Sequence, residues 1–260
     1  MDLNGLTALV TGSNRGIGRA IAAELATRRL DLLLYGVRNP DGFEPPAPPP
    51  GGAREVRAVA LDLSTRESIE GGAAALPHVD LLVNNAGLMT GGLLEKQDVD
   101  EIYAMFQVNL IAVVHLTKLL LPAMLERGRG KIVNNASISG YAWFPAASTY
   151  AAAKTGVVAF SESLRRELRG TGVGVLHLVT PGVDTDMLDA TRQVYGRHMK
   201  ASAWDDQSPE EWAAKAVRAI ERDDHVLGPG GRLALAKLAS RGPAALLDVI
   251  SSRSFSRDPR

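Results

Sequence analysis

The chain has 260 residues, of which 45% are hydrophobic and 22% are charged. This length and composition are typical of a globular protein with a substantial core. Lys plus Arg and Asp plus Glu both number 29, so the formal net charge of zero does not favour a nucleic-acid partner. The chain has no cysteine, which excludes disulfides and thiolate nucleophiles, and its five histidines lack metal-ligand spacing, so we predict no metal site.

We expect a cytoplasmic protein that does not insert into a membrane. The N-terminus has no basic segment followed by an apolar one, as a signal peptide would have. The most apolar helical stretch, 110–125, contains His115, Thr117, Lys118 and Pro122. We interpret it as too short and too polar to span a bilayer.

Predicted strands and helices alternate along the chain. Apolar runs predict strands at 7–11, 30–35, 56–61, 79–83, 131–135 and 173–179. Helical periodicity predicts helices at 16–28, 64–75, 98–127, 148–169 and 209–222, and Ser64 with Glu67 has capping-box spacing. This alternation favours a single-domain α/β fold, a doubly wound parallel sheet with helices on both faces.

A proline-rich segment, 40–53, interrupts this alternation between the second and third strands. Consecutive prolines lack amide donors and cannot continue a helix. We therefore predict a solvent-exposed loop where a helix would otherwise lie. A proline-binding partner is the alternative interpretation.

Glycines are concentrated in the segment Thr11–Gly18, between the first strand and the first helix. They permit a tight turn and close approach of a pyrophosphate, to which the helix start offers free amides. A plain strand-to-helix turn remains the alternative. The residues that we predict to bind the cofactor here are Gly12, Asn14, Arg15, Gly16, Ile17 and Gly18.

Tyr150 and Lys154 lie four residues apart on a predicted helix, so their side chains share one face. A tyrosine pKa near 10 is high for proton exchange at neutral pH, and a nearby ammonium would lower it. The pair therefore predicts a general acid. The spacing alone is common, and its weight depends on the motifs upstream.

Three motifs occur in order: Thr11–Gly18, then Asn84-Asn85-Ala86-Gly87, then Tyr150–Lys154. With them the chain resembles a classical short-chain dehydrogenase/reductase over about residues 5 to 222. The resemblance implies a Rossmann-like fold, a nicotinamide cofactor and an oxidoreductase activity with Tyr150 and Lys154 as catalytic residues that also contact the cofactor. It also implies that the segment from Asn85 through Ala86 to Gly87 contacts the cofactor.

The resemblance assigns further roles. Ser137 would bind the substrate oxygen, with Ser139 as the competing candidate, and Asn109 would help to hold a water beside the lysine. Asp62 and Leu63 would contact the adenine. The nicotinamide would be contacted by Pro181, Gly182, Val183 and Thr185.

Charge at the end of the second strand predicts the choice of cofactor. An acid there would bind a ribose 2′-hydroxyl and repel a 2′-phosphate. This strand ends in Tyr35-Gly36-Val37-Arg38, with an arginine and no acid. The resemblance puts Arg15 near the same phosphate. We therefore predict NADP(H) in preference to NAD(H).

The predicted reaction is reduction of a ketone or aldehyde to an alcohol, with hydride from NADPH and a proton from Tyr150. The predicted substrate-facing segments, 88–94, 141–144 and 186–204, are largely apolar and aromatic. They favour a bulky, fairly apolar small-molecule carbonyl substrate. The alternatives are an epimerase, dehydratase or cyclase with bound NADP, or an NADP-sensing protein without turnover.

Two segments depart from the family pattern. The segment 181–185 has one residue fewer between Gly and Thr than the family pattern, which puts its register in doubt. No final strand is evident, so we expect residues 1–225 to form the catalytic domain and 226–260 a helical extension packed on it or on a neighbour. The resemblance implies a homodimer through the helices 98–127 and 148–169, or a tetramer.

Overall fold

The computed structural model describes residues 1–195 and 207–228. Within these residues seven parallel strands form one sheet, in the order β3-β2-β1-β4-β5-β6-β7. The order reverses between β1 and β4, which opens a crevice at the carboxyl ends of the strands. The strands are β1 (Thr7–Thr11), β2 (Leu32–Val37), β3 (Glu55–Ala60), β4 (Leu81–Asn84), β5 (Gly130–Asn135), β6 (Val173–Leu178) and β7 (Val226–Leu227).

Helices cover both faces of this sheet, so the prediction of a Rossmann-like doubly wound fold is confirmed. On one face Ile21 and Trp212 pack over Leu33, and on the other Leu116 and Leu164 share a core with strand residues. The helices are α1 (Gly16–Ala26), α2 (Arg66–Ala74), α3 (Val99–Phe106), α4 (Ala112–Glu126), α5 (Ser148–Glu167), α6 (Asp186–Tyr195) and α7 (Pro209–Glu221).

The proline-rich segment is a loop without a helix between β2 and β3, as predicted. Phe43 packs against Tyr35, with ring centres 6.0 Å apart. The amide of Ala53 donates to the carbonyl oxygen of Ala26 at 2.9 Å, which ties the loop back to α1. An aromatic contact and a backbone bond thus stabilise a segment that cannot be helical.

Two local predictions are wrong. The capping box of α2 is formed by Thr65 and Ser68, because the Ser64 amide bonds to the Asp62 carboxylate before the helix begins. A final strand is present: β7 pairs with His177 and Leu178. The expected division at residue 225 therefore falls at the start of a sheet strand, and residues 229–260 of the expected extension lie outside the described residues.

The predicted helix 98–127 begins at Val99 and contains an unpredicted π-helical turn, Gln107–Ile111, between α3 and α4. It is one helical stretch of 28 residues with a mean hydropathy of 1.8 over its most apolar 18-residue window. Our interpretation of this segment as too short for a membrane span is therefore wrong on length. Its α4 part packs against α2 and β5 of the same domain, as a core helix does.

Candidate active site

The glycine loop packs directly against the Asn-Asn-Ala-Gly segment. Gly12 and Gly16 have φ of +63° and +54°. A Cβ on Gly12 would lie 2.8 Å from Cα of Ala86, and one on Gly18 would lie 2.2 Å from the Gly12 oxygen. Only glycine fits at such close approach.

The start of α1 is open to an anion. Its N-cap residue, Arg15, has no side-chain cap, and the first turn contains no acid. Backbone amides at such a helix start lack intrahelical partners and attract phosphate. Together with the tight glycine cradle, this arrangement fits the pyrophosphate of a dinucleotide.

The residues expected near the adenosine lie at the ends of β2 and β3. Arg38 directly follows β2 and is exposed. Arg15 is also exposed and its guanidinium lies 3.7 Å from the Asp186 carboxylate. Asp62 is half-buried and Leu63 is buried, at the end of the neighbouring strand β3. The Arg15 guanidinium thus lies beside the start of α6, and Arg38 is the cation at the end of β2.

Tyr150 and Lys154 lie in the first two turns of α5 and are both buried. The Lys154 Nζ atom is 5.8 Å from the centre of the Tyr150 ring, and it donates to the carbonyl oxygen of Asn135 at 2.8 Å. Ser137 precedes a short 3₁₀ turn, Ile138–Gly140, and its Oγ accepts from the Ser139 amide at 3.1 Å. The fold thus brings both serine candidates, the tyrosine and the lysine to one cleft.

Burial dominates the titration of this group. Burial raises the pKa of Tyr150 to about 12, and hydrogen bonding with Ser137 lowers it by less. Burial also lowers the pKa of Lys154 to about 8. We expected the lysine to bring the tyrosine pKa below its usual value, but burial raises it, because desolvation disfavours the phenolate.

Asn109 lies in the π-helical turn and is fully buried. Its Oδ1 accepts from the Leu88 amide at 2.7 Å, and its Nδ2 donates to the Leu88 carbonyl at 2.8 Å. A π turn inside an α-helix is often found at a functional site. Here it presents a carboxamide that fixes the segment after Gly87, and the expected water beside the lysine stays a prediction.

The shortened segment 181–185 still reaches the cleft. A Cβ on Gly16 would lie 3.4 Å from Cγ2 of Thr185, so the two loops are in contact. Val183 forms a bridge with Gln207 that holds the segment from outside. The predicted residues Pro181, Gly182, Val183 and Thr185 all line the cleft.

Of the expected substrate-facing residues, Leu88, Met89, Met187 and Leu188 line the cleft. Tyr141 is buried and does not line the described cleft, so its prediction is wrong, whereas Trp143 is half exposed and its role stays a prediction. The Tyr141 hydroxyl bonds to His177 Nε2 at 2.8 Å, and the Trp143 indole donates to Thr155. Residues 196–204 of the expected segment lie outside the described residues.

Sequence reasoning missed a row of polar side chains below the cleft. Asn135 bonds to Asn85 on one side and to Thr180 on the other, and Asn85 bonds to Thr11. The pair Asn134-Asn135 at the end of a predicted strand was the available signal, since strands disfavour asparagine.

The chain belongs to the short-chain dehydrogenase family, whose family model, described as short chain dehydrogenase, matches residues 6–196. It is thus an NAD(P)H-dependent oxidoreductase that acts on a small molecule. It is 36% identical over 192 residues to the 3-oxoacyl-(acyl-carrier-protein) reductase FabG of Haemophilus influenzae, covering 72% of this chain and 78% of the relative. A short-chain type dehydrogenase/reductase of Sinorhizobium fredii is 36% identical over 224 residues, covering 84% and 87%.

Solved structures agree with the fold. A short-chain dehydrogenase from Burkholderia cenocepacia, in complex with NADP, has a TM-score of 0.78 at 25% identity and covers 97% of this chain and 98% of its own. A short-chain dehydrogenase from Streptomyces avermitilis has a TM-score of 0.74 at 26% identity, covering 97% and 96%.

Proposed function

We propose that this chain reduces a ketone or aldehyde to an alcohol with NADPH. The observation that carries the proposal is the convergence of Ser137, Tyr150 and Lys154 on one cleft whose far wall is the glycine loop and the Asn85–Gly87 segment. A proton donor, an oxygen-binding hydroxyl and a buried cation beside a dinucleotide cradle are the components of carbonyl reduction.

When bound, NADPH supplies the hydride. We propose that NADPH is bound by the glycine loop, by the ends of β2 and β3, and by the segments after β4 and β6. The proposed cofactor residues are Gly12, Asn14, Arg15, Gly16, Ile17, Gly18, Arg38, Asp62, Leu63, Asn85, Ala86, Gly87, Tyr150, Lys154, Pro181, Gly182, Val183 and Thr185.

Tyr150 holds the proton that the substrate oxygen receives. Its high pKa keeps the phenol protonated at neutral pH, so it is a competent donor. Ser137 orients the same oxygen through its hydroxyl. Lys154, with a pKa of about 8, is largely protonated at pH 7 and stabilises the phenolate that remains. Asn109 acts by fixing Leu88 at the edge of the cleft.

We propose that the enzyme prefers NADPH to NADH. Arg38 directly follows β2, no acid follows that strand directly, and Arg15 in the glycine loop is a second exposed cation. Arginine binds a phosphate through paired charge-assisted hydrogen bonds, whereas an acid would be required for the NADH ribose. The Burkholderia cenocepacia relative of known structure, which binds NADP, supports this choice.

The proposed substrate is bulky and fairly apolar, because Leu88, Met89, Met187 and Leu188 line the cleft. A 3-oxoacyl thioester is the first compound to test, since the Haemophilus influenzae relative is named as a 3-oxoacyl-(acyl-carrier-protein) reductase. The same site would also serve an epimerase, a dehydratase or a cyclase, and turnover stoichiometry separates these from a reductase.

The deciding experiment incubates the protein with a panel of ketones, aldehydes and 3-oxoacyl thioesters, with NADPH and with NADH. The expected result is one alcohol formed per NADPH consumed, at a higher kcat/KM than with NADH. Product formation without net NADPH oxidation would instead identify an isomerising or dehydrating enzyme. Binding of NADPH without turnover across the panel would favour a sensor.

We also propose a homodimer through the helical stretch Val99–Glu126 and α5. The helical stretch Val99–Glu126 keeps apolar side chains at the surface, among them Val99, Tyr103 and Ile111. Burial of such a surface against a second copy would remove it from water. A tetramer remains the alternative assembly.

A further inference from the structure

Asn135 stands out in β5 because it is the one residue of that strand that is not fully buried. It is the last residue of the strand, half-buried, and part of the cleft lining. Its Nδ2 donates to Oδ1 of Asn85 at 2.9 Å, and its Oδ1 accepts from the hydroxyl of Thr180. A single carboxamide therefore bonds to the segments at the ends of both neighbouring strands, β4 and β6.

These bonds extend into a row that we call the edge ladder, formed by Thr11, Asn85, Asn135 and Thr180. Asn85 Nδ2 donates to the carbonyl oxygen of Thr11 at 3.1 Å, so the ladder spans the ends of four strands. Its last member, Thr180, accepts a bond of 2.9 Å from the amide of Ile138, next to Ser137. The ladder thus links the ends of the strands to the turn that carries the serine.

The ladder meets the lysine at Asn135. The carbonyl oxygen of Asn135 accepts from Lys154 Nζ at 2.8 Å. No carboxylate forms an ion pair with Lys154 among the described residues, and Tyr150 is the other titratable side chain in the described cleft lining. A buried ammonium without a counter-ion depends on such an acceptor, because it has given up its water.

We propose that Asn135 is a positioning residue: its carboxamide fixes the end of β5 between β4 and β6, and its carbonyl oxygen thereby holds the Lys154 ammonium in the cleft. The kinetic consequence rests on the proposed reductase function. The placement of the ammonium does not rest on that function, and it can be measured without substrate or cofactor.

The first test substitutes Asn135→Asp in the full-length chain. The new side chain has nearly the same shape and keeps the acceptor for Thr180, but it adds a carboxylate to the residue that holds the lysine. A carboxylate within about 4–6 Å of an ammonium raises its pKa by about one unit or more. The titration of Lys154, followed by NMR of isotope-labelled lysine, is expected to move upward from the wild-type midpoint near 8. An unchanged midpoint would overturn the proposal.

Asn134→Asp is the matched control, one residue earlier in β5. Successive strand side chains point to opposite faces, and Asn134 donates to Ser161 and accepts from Asn84 on the far face. This variant is expected to melt at a lower temperature, because it buries a carboxylate, while the Lys154 midpoint stays within about 0.3 units. Equal shifts in both variants would deny Asn135 a special role.

Asn135→Leu removes both carboxamide bonds at similar volume and keeps the backbone carbonyl. Misplacement of the ammonium is expected to lower kcat of the folded enzyme about tenfold and to change the KM values less than threefold. If activity falls only in proportion to the fraction of protein that is folded, Asn135 has a structural role alone, and the proposal is wrong. If the wild type reduces no carbonyl compound, the reductase proposal fails, and the lysine titration still decides the role of Asn135.

Discussion

The Lys154 ammonium lies 5.8 Å from the centre of the Tyr150 ring, and both side chains are buried on the same face of α5. Tyr150→Phe removes the hydroxyl and leaves the ring that packs beside Met105 and Ala153. We expect reductase activity to fall about 10³-fold, since the donor of the proton is lost. The NADPH dissociation constant, measured by fluorescence, should change less than threefold. A variant that keeps most of its activity would disprove the role of Tyr150.

The depressed pKa of Lys154 makes stability depend on pH. The pKa is about 8 in the folded protein and 10.5 ordinarily, so between these values the unfolded chain binds a proton that the folded chain lacks. Stability therefore rises with pH in this window. Tyr150 acts in the opposite sense, but only from pH 10 to about 12, where the unfolded chain loses its proton first.

Lys154→Met tests this dependence. From pH 7 to pH 9.5 the free energy of unfolding of the wild type should rise by about 2 kcal/mol more than that of the variant. Urea denaturation at both pH values measures it. Parallel pH dependences of the two proteins would show that the lysine titrates normally.

The choice of cofactor is tested by Arg38→Ala. Loss of a charge-assisted bond to the 2′-phosphate should weaken NADPH binding at least about tenfold and NADH binding less than twofold. Arg29→Ala, another exposed arginine, is the control and should affect neither. Arg15→Ala is expected to have the smaller effect, because Arg15 lies near Asp186. Equal weakening of both cofactors by Arg38→Ala would contradict the assignment.

Gly18→Ala tests the tight cradle. The added methyl would lie 2.2 Å from the Gly12 oxygen and 2.3 Å from Asn85 Nδ2, so the two motifs must separate. We expect affinity for either cofactor to fall more than about tenfold, and the melting temperature to fall as well. Gly71→Ala in α2 is the control: its Cβ meets nothing within 4 Å, and helix propensity should stabilise it by up to about 1 kcal/mol.

The dimer is tested by Tyr103→Glu and Ile111→Asp, which place charges on exposed apolar positions, 75% and 51% accessible. Light scattering should give twice the chain mass of 27.6 kDa for the wild type and the single mass for the variants. Leu94→Asp, outside these helices, is the control and should stay dimeric. A wild type of single mass would refute the dimer.

Periodicity was enough to predict the sheet and most helices, because apolar runs and amphipathic faces are local patterns. The edge ladder was not predictable in this way. Asn85 and Asn135 are fifty residues apart, and they meet because β4 pairs with β5. The direction of the Tyr150 pKa shift was not predictable for a related reason. Burial is a property of the whole fold, whereas spacing in the sequence indicates only that a charge is nearby.

Tyr141 was wrongly assigned to the pocket for another reason. Its residue type suits a substrate site, but a hydroxyl that approaches the interior requires a polar partner. His177 supplies that partner away from the cleft. Side-chain direction within an irregular segment cannot be derived from residue type alone.

The π-helical turn at Gln107–Ile111 inserts one additional residue between α3 and α4 and so changes their relative orientation about the helix axis. Each residue advances an α-helix by about 100°, so the additional residue of a π turn rotates α4 against the direction in which α3 points. Asn109 can then reach Leu88 while Leu116, further along, still enters the core. Removal of one residue from this turn would force a choice between these two contacts. The segment least tolerant of a change in length is therefore the middle of this helix, because a deletion there would disturb either the contact at the cleft or the packing in the core.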